Sequence, residues 1–190
     1  MRTAFKEWAV VVDALGRGDQ IVLLRKGGIH EGRGGFRPEH GEFLLFPTRF
    51  HQQRAAVVPA AQARFDELAR GFPPEDRVQI ECSATVAACH RVRSLEAALA
   101  LRGRHVWREE VIAERFAWGR EESVWALVVR VFRLATPVEL PLRPEYAGCK
   151  SWITLAEDVP TAGAAPVLPE EVFDARRREI EQLLAREAGA

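Results

Sequence analysis

Lysine is nearly missing from this 190-residue sequence, whose 27 basic residues comprise 24 arginines and only three lysines, Lys6, Lys26 and Lys150. A compact ammonium and a planar guanidinium are not interchangeable in their hydrogen-bonding geometry. A lysine retained in such an arginine-rich chain therefore indicates a position where an ammonium fits and a guanidinium does not. The alternative is that the three lysines remain by chance.

Net charge is also absent, because 27 Lys and Arg balance 27 Asp and Glu. The molecule as a whole is therefore not drawn to nucleic acid or anionic lipid, and any such attraction must be local. No apolar run approaches the roughly 20 residues that cross a bilayer, and the N-terminus lacks a secretory cleavage pattern. These absences predict a cytoplasmic protein with no membrane partner.

Cysteine is scarce and wrongly spaced for a structural metal site. The three cysteines include no Cys-x-x-Cys pair, which argues against a structural zinc site and against a disulfide framework. Cys82 and Cys89 are interpreted instead as small buried apolar residues. No cofactor is expected, and a divalent metal is the weaker alternative.

Apolar patterning predicts a chain dominated by strands. AVVVDAL and QIVLLR are interpreted as a hairpin across the turn GRGD. Further strands are predicted over EFLLFPT, RVQIECSATVAAC, SVWALVVRVFRL, TPVELPL and SWITL. Helices are predicted over residues 59–71, over residues 94–102 with Ser94 as the N-cap, and over residues 108–116.

The order of these elements predicts an α+β fold. Regular βαβ alternation is absent, which disfavours a doubly wound parallel sheet. The expected fold is a single domain with a mixed, largely antiparallel, barrel-like sheet and three or four helices. Residues 1–158 form its core, residues 159–168 a linker, and residues 169–190 a C-terminal amphipathic helix packed on the core. A partner-binding or dimerising role for this helix is the alternative.

A glycine-rich loop after QIVLLR concentrates unusual chemistry. Lys26, Gly27 and Gly28 follow a strand, and glycine amides beside an ammonium can form an anion nest. The P-loop spacing is absent, so nucleotide hydrolysis of that type is not expected. The imidazoles and carboxylates in and after this loop could also ligate a metal or act as a base; they are His30, Glu31, Glu39, His40, Glu42 and His51. A solvated loop is the simpler alternative.

Two more stretches carry candidate binding residues. Thr48, Arg49, His51 and Gln52 follow the strand EFLLFPT and suit phosphate or base-edge contacts, although a polar helix start would look the same. The only tyrosine lies in PEYAGCKSW. The predicted ligand- and anion-binding residues are Lys26, Gly27, Gly28, His30, Glu42, Thr48, Arg49, His51, Gln52, Tyr146, Lys150 and Trp152, and no catalytic residue is assigned.

Arginines and aromatic residues interleave in the C-terminal half of the chain. The aromatic residues there include Trp107, Phe116, Trp118, Trp125 and Trp152. Such a mixture can form a stacking surface for nucleobases. It can equally be an apolar core with arginines at its rim.

Four blocks of sequence resemble one known family. FKEWAVVVDAL, IVLLRKGGI, GEFLLFPTRFHQ and YAGCKSW are similar to the bacterial family catalogued as domain of unknown function 1802, over roughly residues 5–155. The family has no established activity to transfer. Some members are linked to restriction-endonuclease-type domains, which implies a role near DNA restriction or modification. This chain is expected to lack room for such an added domain.

Three functions follow from these observations. The leading prediction is a non-catalytic nucleic-acid-binding module that contacts DNA or RNA as a monomer or homodimer. The alternatives are a metal-dependent nuclease or phosphodiesterase, which requires at least two of the loop ligands on one ion, and a protein-interaction partner. Whether the protein is an enzyme is left open.

Overall fold

The structure, a computed structural model, describes residues 1–26, 40–49, 53–119, 121–148 and 150–188. Its seven strands are β1 Thr3–Trp8, β2 Val22–Arg25, β3 Glu42–Thr48, β4 Arg77–Val92, β5 Val124–Pro141, β6 Trp152–Thr154 and β7 Ala165–Pro166. Its helices are α1 Ala9–Gly16, α2 Pro59–Arg70, α3 Leu95–Ala100, α4 Glu109–Ala117 and α5 Glu170–Ala188, with a 3-10 turn at Pro144–Tyr146. The predicted α+β class is confirmed, with five helices in the described residues.

The strands form one mixed sheet in the order β2-β5-β4-β3-β1-β6, and β7 pairs with β5. Only β1 and β3 are parallel; every other pairing between the named strands is antiparallel. The sheet curls into a half-barrel. A hydrogen bond of 2.6 Å from Arg25 Nη2 to the Lys6 carbonyl joins β2 to β1, although three strands lie between them. The predicted largely antiparallel, barrel-like sheet is thus confirmed.

Two apolar clusters pack against the sheet, and along β3 they lie on opposite faces. Side chains alternate along β3, so Phe43 and Leu45 enter the larger cluster while Leu44 and Phe46 enter the smaller one. The Arg25 guanidinium carbon lies 4.7 Å from the centre of the Phe5 ring, which belongs to the larger cluster. Because these side chains meet across the curl, their face is the concave one.

The predicted first hairpin is wrong. AVVVDAL forms α1, and β1 is instead the preceding run, Thr3–Trp8. Helix α1 is buried on almost every side, so burial decides its structure over the β-propensity of three consecutive valines. The two glycines of GRGD lie where this helix ends: Gly16 is its last residue, and Gly18 is in the turn that follows. Gly18 has a φ of +76°, and a Cβ there would meet Leu168 at 2.6 Å, so only glycine fits.

The separate strand predicted at TPVELPL is also wrong, because these residues continue β5. Strand β4 pairs with β5 from Arg77, opposite Pro141, to Val92, opposite Val124. The register shifts between Ile80 and Cys82, where β5 carries extra residues. Pro137 falls in this irregular stretch, and so the lack of an N–H does not break the ladder.

The predicted helices are confirmed within a residue or two at most ends. Ser94 caps α3, and its hydroxyl accepts a hydrogen bond of 3.2 Å from the Ala97 amide. Helix α5 buries Phe173, Ile180 and Leu184 in the larger cluster, and Val172 is exposed. Strand β7 lies within residues 159–168, the predicted linker. None of the helices in the described ranges has the length and apolarity needed to span a membrane.

Candidate functional site

One end of the concave face carries arginines and tryptophans in place of aliphatic residues. The pairing register sets Arg25 opposite Trp125, and Trp125 opposite Arg91, so all three side chains lie on one face. The Arg91 guanidinium carbon is 5.8 Å from the centre of the Trp125 ring. Trp125 and Trp152 are half-buried against the larger cluster, and Arg91 is exposed. We call Arg25, His40, Arg91, Trp125 and Trp152 the concave mouth.

Trp152 sits at the opposite side of this mouth, on the edge strand β6. It pairs with Phe5 in the sheet, and their ring centres are 4.8 Å apart. The Phe43 ring lies 5.0 Å away on the inner side. His40 meets the indole edge-on at 5.2 Å, and His40 is exposed. Packing against Phe5 and Phe43 fixes the orientation of the Trp152 indole. A half-buried aromatic ring with a defined orientation therefore lies at the rim of the mouth.

A buried carboxylate lies next to the mouth. Glu7 follows Phe5 by two positions in β1, on the same face, and is only 1% exposed. Its Oε1 accepts a hydrogen bond of 2.7 Å from the Trp8 amide. Its Oε2 has no hydrogen-bond partner in the described part of the chain, and Arg25 Nη1 lies 3.6 Å from it. An ionised oxygen without a hydrogen bond is costly in such surroundings.

A second arginine, Arg115, also interacts electrostatically with Glu7. Arg115 of α4 lies between two indoles, with its guanidinium carbon 5.0 Å from the Trp8 ring centre and 4.8 Å from that of Trp107. It donates a hydrogen bond of 3.0 Å to the Leu24 carbonyl. Burial lowers the pKa of Arg115 to about 10, while Glu7 opposes this shift and Arg25 adds to it. Two guanidiniums against one carboxylate leave a local excess of positive charge.

Lys26 adds a further cation at the rim. Its ammonium donates to the carbonyl of Phe116 at 2.8 Å and to that of Glu121. Burial lowers the pKa of Lys26, Glu122 raises it, and Arg91 lowers it further, which places Lys26 within the field of the mouth. Lys26 therefore ties the end of β2 to the end of α4.

Lys6 lies on the convex side of β1 and also binds carbonyls. Its buried ammonium donates to the carbonyls of Tyr146 and Gly148, both at 2.7 Å. Lys6 and Lys26 thus each present a compact ammonium to two converging carbonyls, a geometry that a guanidinium does not reproduce. This supports the interpretation of two of the three retained lysines, whereas Lys150 is exposed.

The Lys6→Arg variant is expected to lower the free energy of unfolding by about 1–3 kcal/mol, because the larger head group strains or abandons two buried hydrogen bonds. Urea unfolding measures the loss. Lys150→Arg is the matched control and should change stability by less than about 0.5 kcal/mol, since it is a surface substitution. Equal stability of the two variants would show that the ammonium of Lys6 is not required.

The other predicted site residues lie in different places. Thr48 donates from Oγ1 to the Glu7 carbonyl at 3.0 Å, beside the mouth. Arg49 donates to the carbonyls of Pro73, Pro74 and Arg77, so its guanidinium clamps a loop. Glu42 alternates with Phe43 and lies on the convex face. Gly27, Gly28, His30, His51 and Gln52 lie outside the described residues.

The second predicted cluster is divided between the two faces. Tyr146 is buried in the smaller cluster, and its hydroxyl accepts a hydrogen bond of 2.8 Å from the Ala156 amide. Trp152 faces the mouth. Lys6 holds the carbonyls of residues 146 and 148, and so anchors the segment that leads into β6. The tyrosine therefore has a structural role here, and the tryptophan reaches the candidate surface.

Sequence reasoning missed Glu7, Arg25 and Arg91 as members of the site. The available signal was the KEW string in β1, where charges interrupt an apolar strand. A charged residue in such a strand indicates either an edge or a buried partner. Metal ligation has no geometric support within the described ranges, where no group of three His, Cys, Asp or Glu side chains could hold an ion. Of the predicted loop ligands, only His40 and Glu42 are described.

Together the fold and the mouth define a class of protein: an α+β domain whose curled mixed sheet presents tryptophan and arginine on its concave face beside a buried carboxylate. The chain belongs to the family described as "Domain of unknown function (DUF1802)", which matches residues 4–179. The resemblance of the four sequence blocks is thereby confirmed. No curated protein gives a significant match.

Among solved structures, the chain is similar to the crystal structure of ASCH from Zymomonas mobilis, with 13% identity, a TM-score of 0.44, and coverage of 75% of this chain and 88% of that chain. A tyrosine-to-phenylalanine mutant of the same protein gives 15% identity, a TM-score of 0.48, and coverage of 82% and 90%. Similarity at this level carries no conclusion about function.

Proposed function

We propose that this protein is a non-catalytic nucleic-acid-binding module and that the concave mouth is its contact surface. The observation that carries the proposal is the register that aligns Arg25, Trp125 and Arg91 on one face. Indole faces stack on unpaired bases, and guanidiniums pair with phosphates or stack on bases in turn. These residues supply both kinds of contact in one place.

The buried charges beside the mouth support the same proposal. Arg25 and Arg115 outnumber Glu7, so an added phosphate would meet a favourable local field even though the whole chain is neutral. Binding should therefore be of moderate affinity and should favour single-stranded segments, whose bases are accessible.

Fluorescence anisotropy of labelled single- and double-stranded DNA and RNA across a salt series tests the proposal. The affinity of the native protein should fall steeply with salt. Arg91→Ala combined with Trp125→Ala should weaken binding by about tenfold or more, because it removes one phosphate contact and one stacking contact. Both residues lie at the rim, so the fold should survive.

Arg91 is ion-paired with Glu121. Arg77→Ala is the matched control, since Arg77 lies on the same strand at the opposite end and is likewise paired with a glutamate, Glu139. It should bind like the native protein. Flat titrations at low salt would remove the proposal, and equal losses in the control and the mouth variant would remove the mouth as the contact surface. Circular dichroism of each variant verifies folding.

The alternatives remain predictions. A metal-dependent nuclease would cleave the labelled strands when Mn²⁺ or Mg²⁺ is added to the same samples. A protein-interaction role would use a surface other than the apolar positions of α5 that are packed in the core. The link to DNA restriction or modification rests on the family resemblance alone and also remains a prediction.

A further inference from the structure

Two indoles and two guanidiniums alternate across the concave mouth. Strands β2 and β6 are the two ends of the sheet order, and the curl brings them together. The guanidinium carbon of Arg25 in β2 and the ring centre of Trp152 in β6 lie 4.7 Å and 4.8 Å from the centre of the Phe5 ring. On its other side, Arg25 is followed strand by strand by Trp125 and then Arg91. The order across the mouth is therefore Trp152, Arg25, Trp125, Arg91.

The spacing of this row sets the distance between the two indoles. Because Arg25 and Trp152 both contact Phe5, they are less than about 10 Å apart. Trp125 is one strand further, and since neighbouring strands lie about 4.8 Å apart, the two indoles are about 10–15 Å apart along the curl. Stacked nucleotides of one strand rise by about 3.4 Å each, and an unstacked strand roughly doubles this step. Two indoles at this distance therefore match two bases with one nucleotide between them.

Each side chain of the row has surface that a ligand reaches. Both indoles are half-buried, with the larger cluster beneath them. The side chain of Arg25 is 20% exposed, and that of Arg91 is 30% exposed. A guanidinium has five N–H groups, and the structure shows one hydrogen bond from Arg25, to the Lys6 carbonyl. Arg25 therefore has donors left for a phosphate that lies between the two indoles.

The same spacing distinguishes between the kinds of nucleic acid that could fit. A duplex keeps its bases inside the stack, so two indoles cannot both lie against base faces without opening it. A single nucleotide would occupy only one of the two indoles. A short single strand engages both indoles and places a phosphate at the guanidinium between them.

We propose that the concave mouth binds about three consecutive nucleotides of a single strand, with the two outer bases stacked on Trp125 and Trp152. Arg25 contacts a phosphate between these bases, and Arg91 contacts a flanking phosphate. No indole holds the middle base, so the mouth tolerates its loss. This inference rests on the proposed nucleic-acid-binding function and adds to it the length of the bound segment and the spacing of the bases that are held.

Labelled strands of constant length and charge test the spacing by fluorescence anisotropy. They are made of DNA or RNA, whichever binds more tightly in the salt series, and every position is abasic except in a central block of pyrimidine bases. Two bases separated by one abasic position should bind at least about fivefold more tightly than a single base, because a second base then stacks. Two adjacent bases should bind within about twofold of a single base, since only one of them reaches an indole at a time.

Trp152→Ala should abolish the advantage of the separated pair and leave single-base binding within about twofold of the native value, because Trp125 remains. Phe72→Ala is the matched control. Phe72 is also a half-buried ring beside a guanidinium, with the carbon of Arg49 5.1 Å from its centre, and Arg49 binds the carbonyl of Arg77 at the far end of β4. This variant should keep the advantage.

The comparison of the two base patterns needs no variant, so it decides the spacing even if Trp152→Ala does not fold. Equal affinity of the separated and adjacent pairs in the native protein would overturn the spacing. If a strand with all its bases still bound, the proposed function would stand. Failure of that fully based strand to bind would remove the function and this inference with it. An advantage lost equally in Phe72→Ala would show that the row is not the contact.

Discussion

Replacing Glu7 by alanine is expected to lower the free energy of unfolding by about 3–5 kcal/mol, the usual cost of removing one partner from a buried ionic group. Glu7 is 1% exposed and lies 3.6 Å from Arg25, within the field of Arg115. Without its carboxylate, two guanidiniums remain in low-dielectric surroundings with no counter-charge. Urea unfolding followed by tryptophan fluorescence measures the loss.

A double-mutant cycle separates the charge from the packing. Glu7→Met and Arg115→Met should each destabilise the protein, and the double variant should lose less than the sum of the two, because removing Glu7 then leaves one guanidinium without a counter-charge instead of two. Glu81→Ala is the matched control: its carboxylate lies 3.4 Å from Arg133 on an exposed part of the sheet, and its loss should cost less than about 1 kcal/mol. A Glu7→Ala loss no larger than this control would mean that the carboxylate does not hold the two arginines.

Most of the fold was predictable because its signals are local. Strict alternation along EFLLFPT puts Phe43 and Leu45 on one face and Leu44 and Phe46 on the other, and the two clusters have this separation. Ser94, a residue type that commonly caps helices, predicted the start of α3 correctly. The error at α1 had a nonlocal cause: a run of valines prefers a strand, and only burial against β3 and α2 makes it a helix.

Much of the candidate site was not predictable because its members come from distant parts of the chain. Arg25, Trp125 and Arg91 meet only through the register of three strands, and that register depends on a bulge between Val86 and Ala88. The scarcity of lysine was a useful signal that Lys6 and Lys26 are constrained. In the structure, however, both ammonium groups bind backbone carbonyls, whereas the sequence had predicted an anion-binding role for Lys26. Composition can thus reveal that a position is constrained without revealing what constrains it.

The second large effect expected is a loss of stability in mild acid caused by His105. Burial and, to a smaller extent, the charge of Arg115 together lower the pKa of His105 to about 4, although backbone hydrogen bonds at Trp107 and His105 partly oppose the shift. The ordinary histidine pKa is about 6.5. Between pH 6.5 and pH 4, His105 is mostly protonated in the unfolded chain and mostly neutral in the folded chain. Acid therefore favours unfolding in this range.

The stability contributed by neutral His105 is therefore complete above pH 6.5 and is lost as the pH falls to about 4. At about 1.4 kcal/mol per pKa unit, the loss between pH 7.5 and pH 4.5 should be about 2–3 kcal/mol. Urea unfolding at a series of pH values measures it, and His105→Phe should remove it. Asp66, Glu157 and Asp158, whose pKa values are lowered by their cationic partners, titrate in more acidic solution in both proteins.

The difference between the native protein and His105→Phe thus isolates the imidazole, and His90→Phe serves as the control that should retain the native pH dependence. Parallel stability curves for the native protein and His105→Phe would contradict the assignment, because they would show that His105 takes up its proton equally in both states.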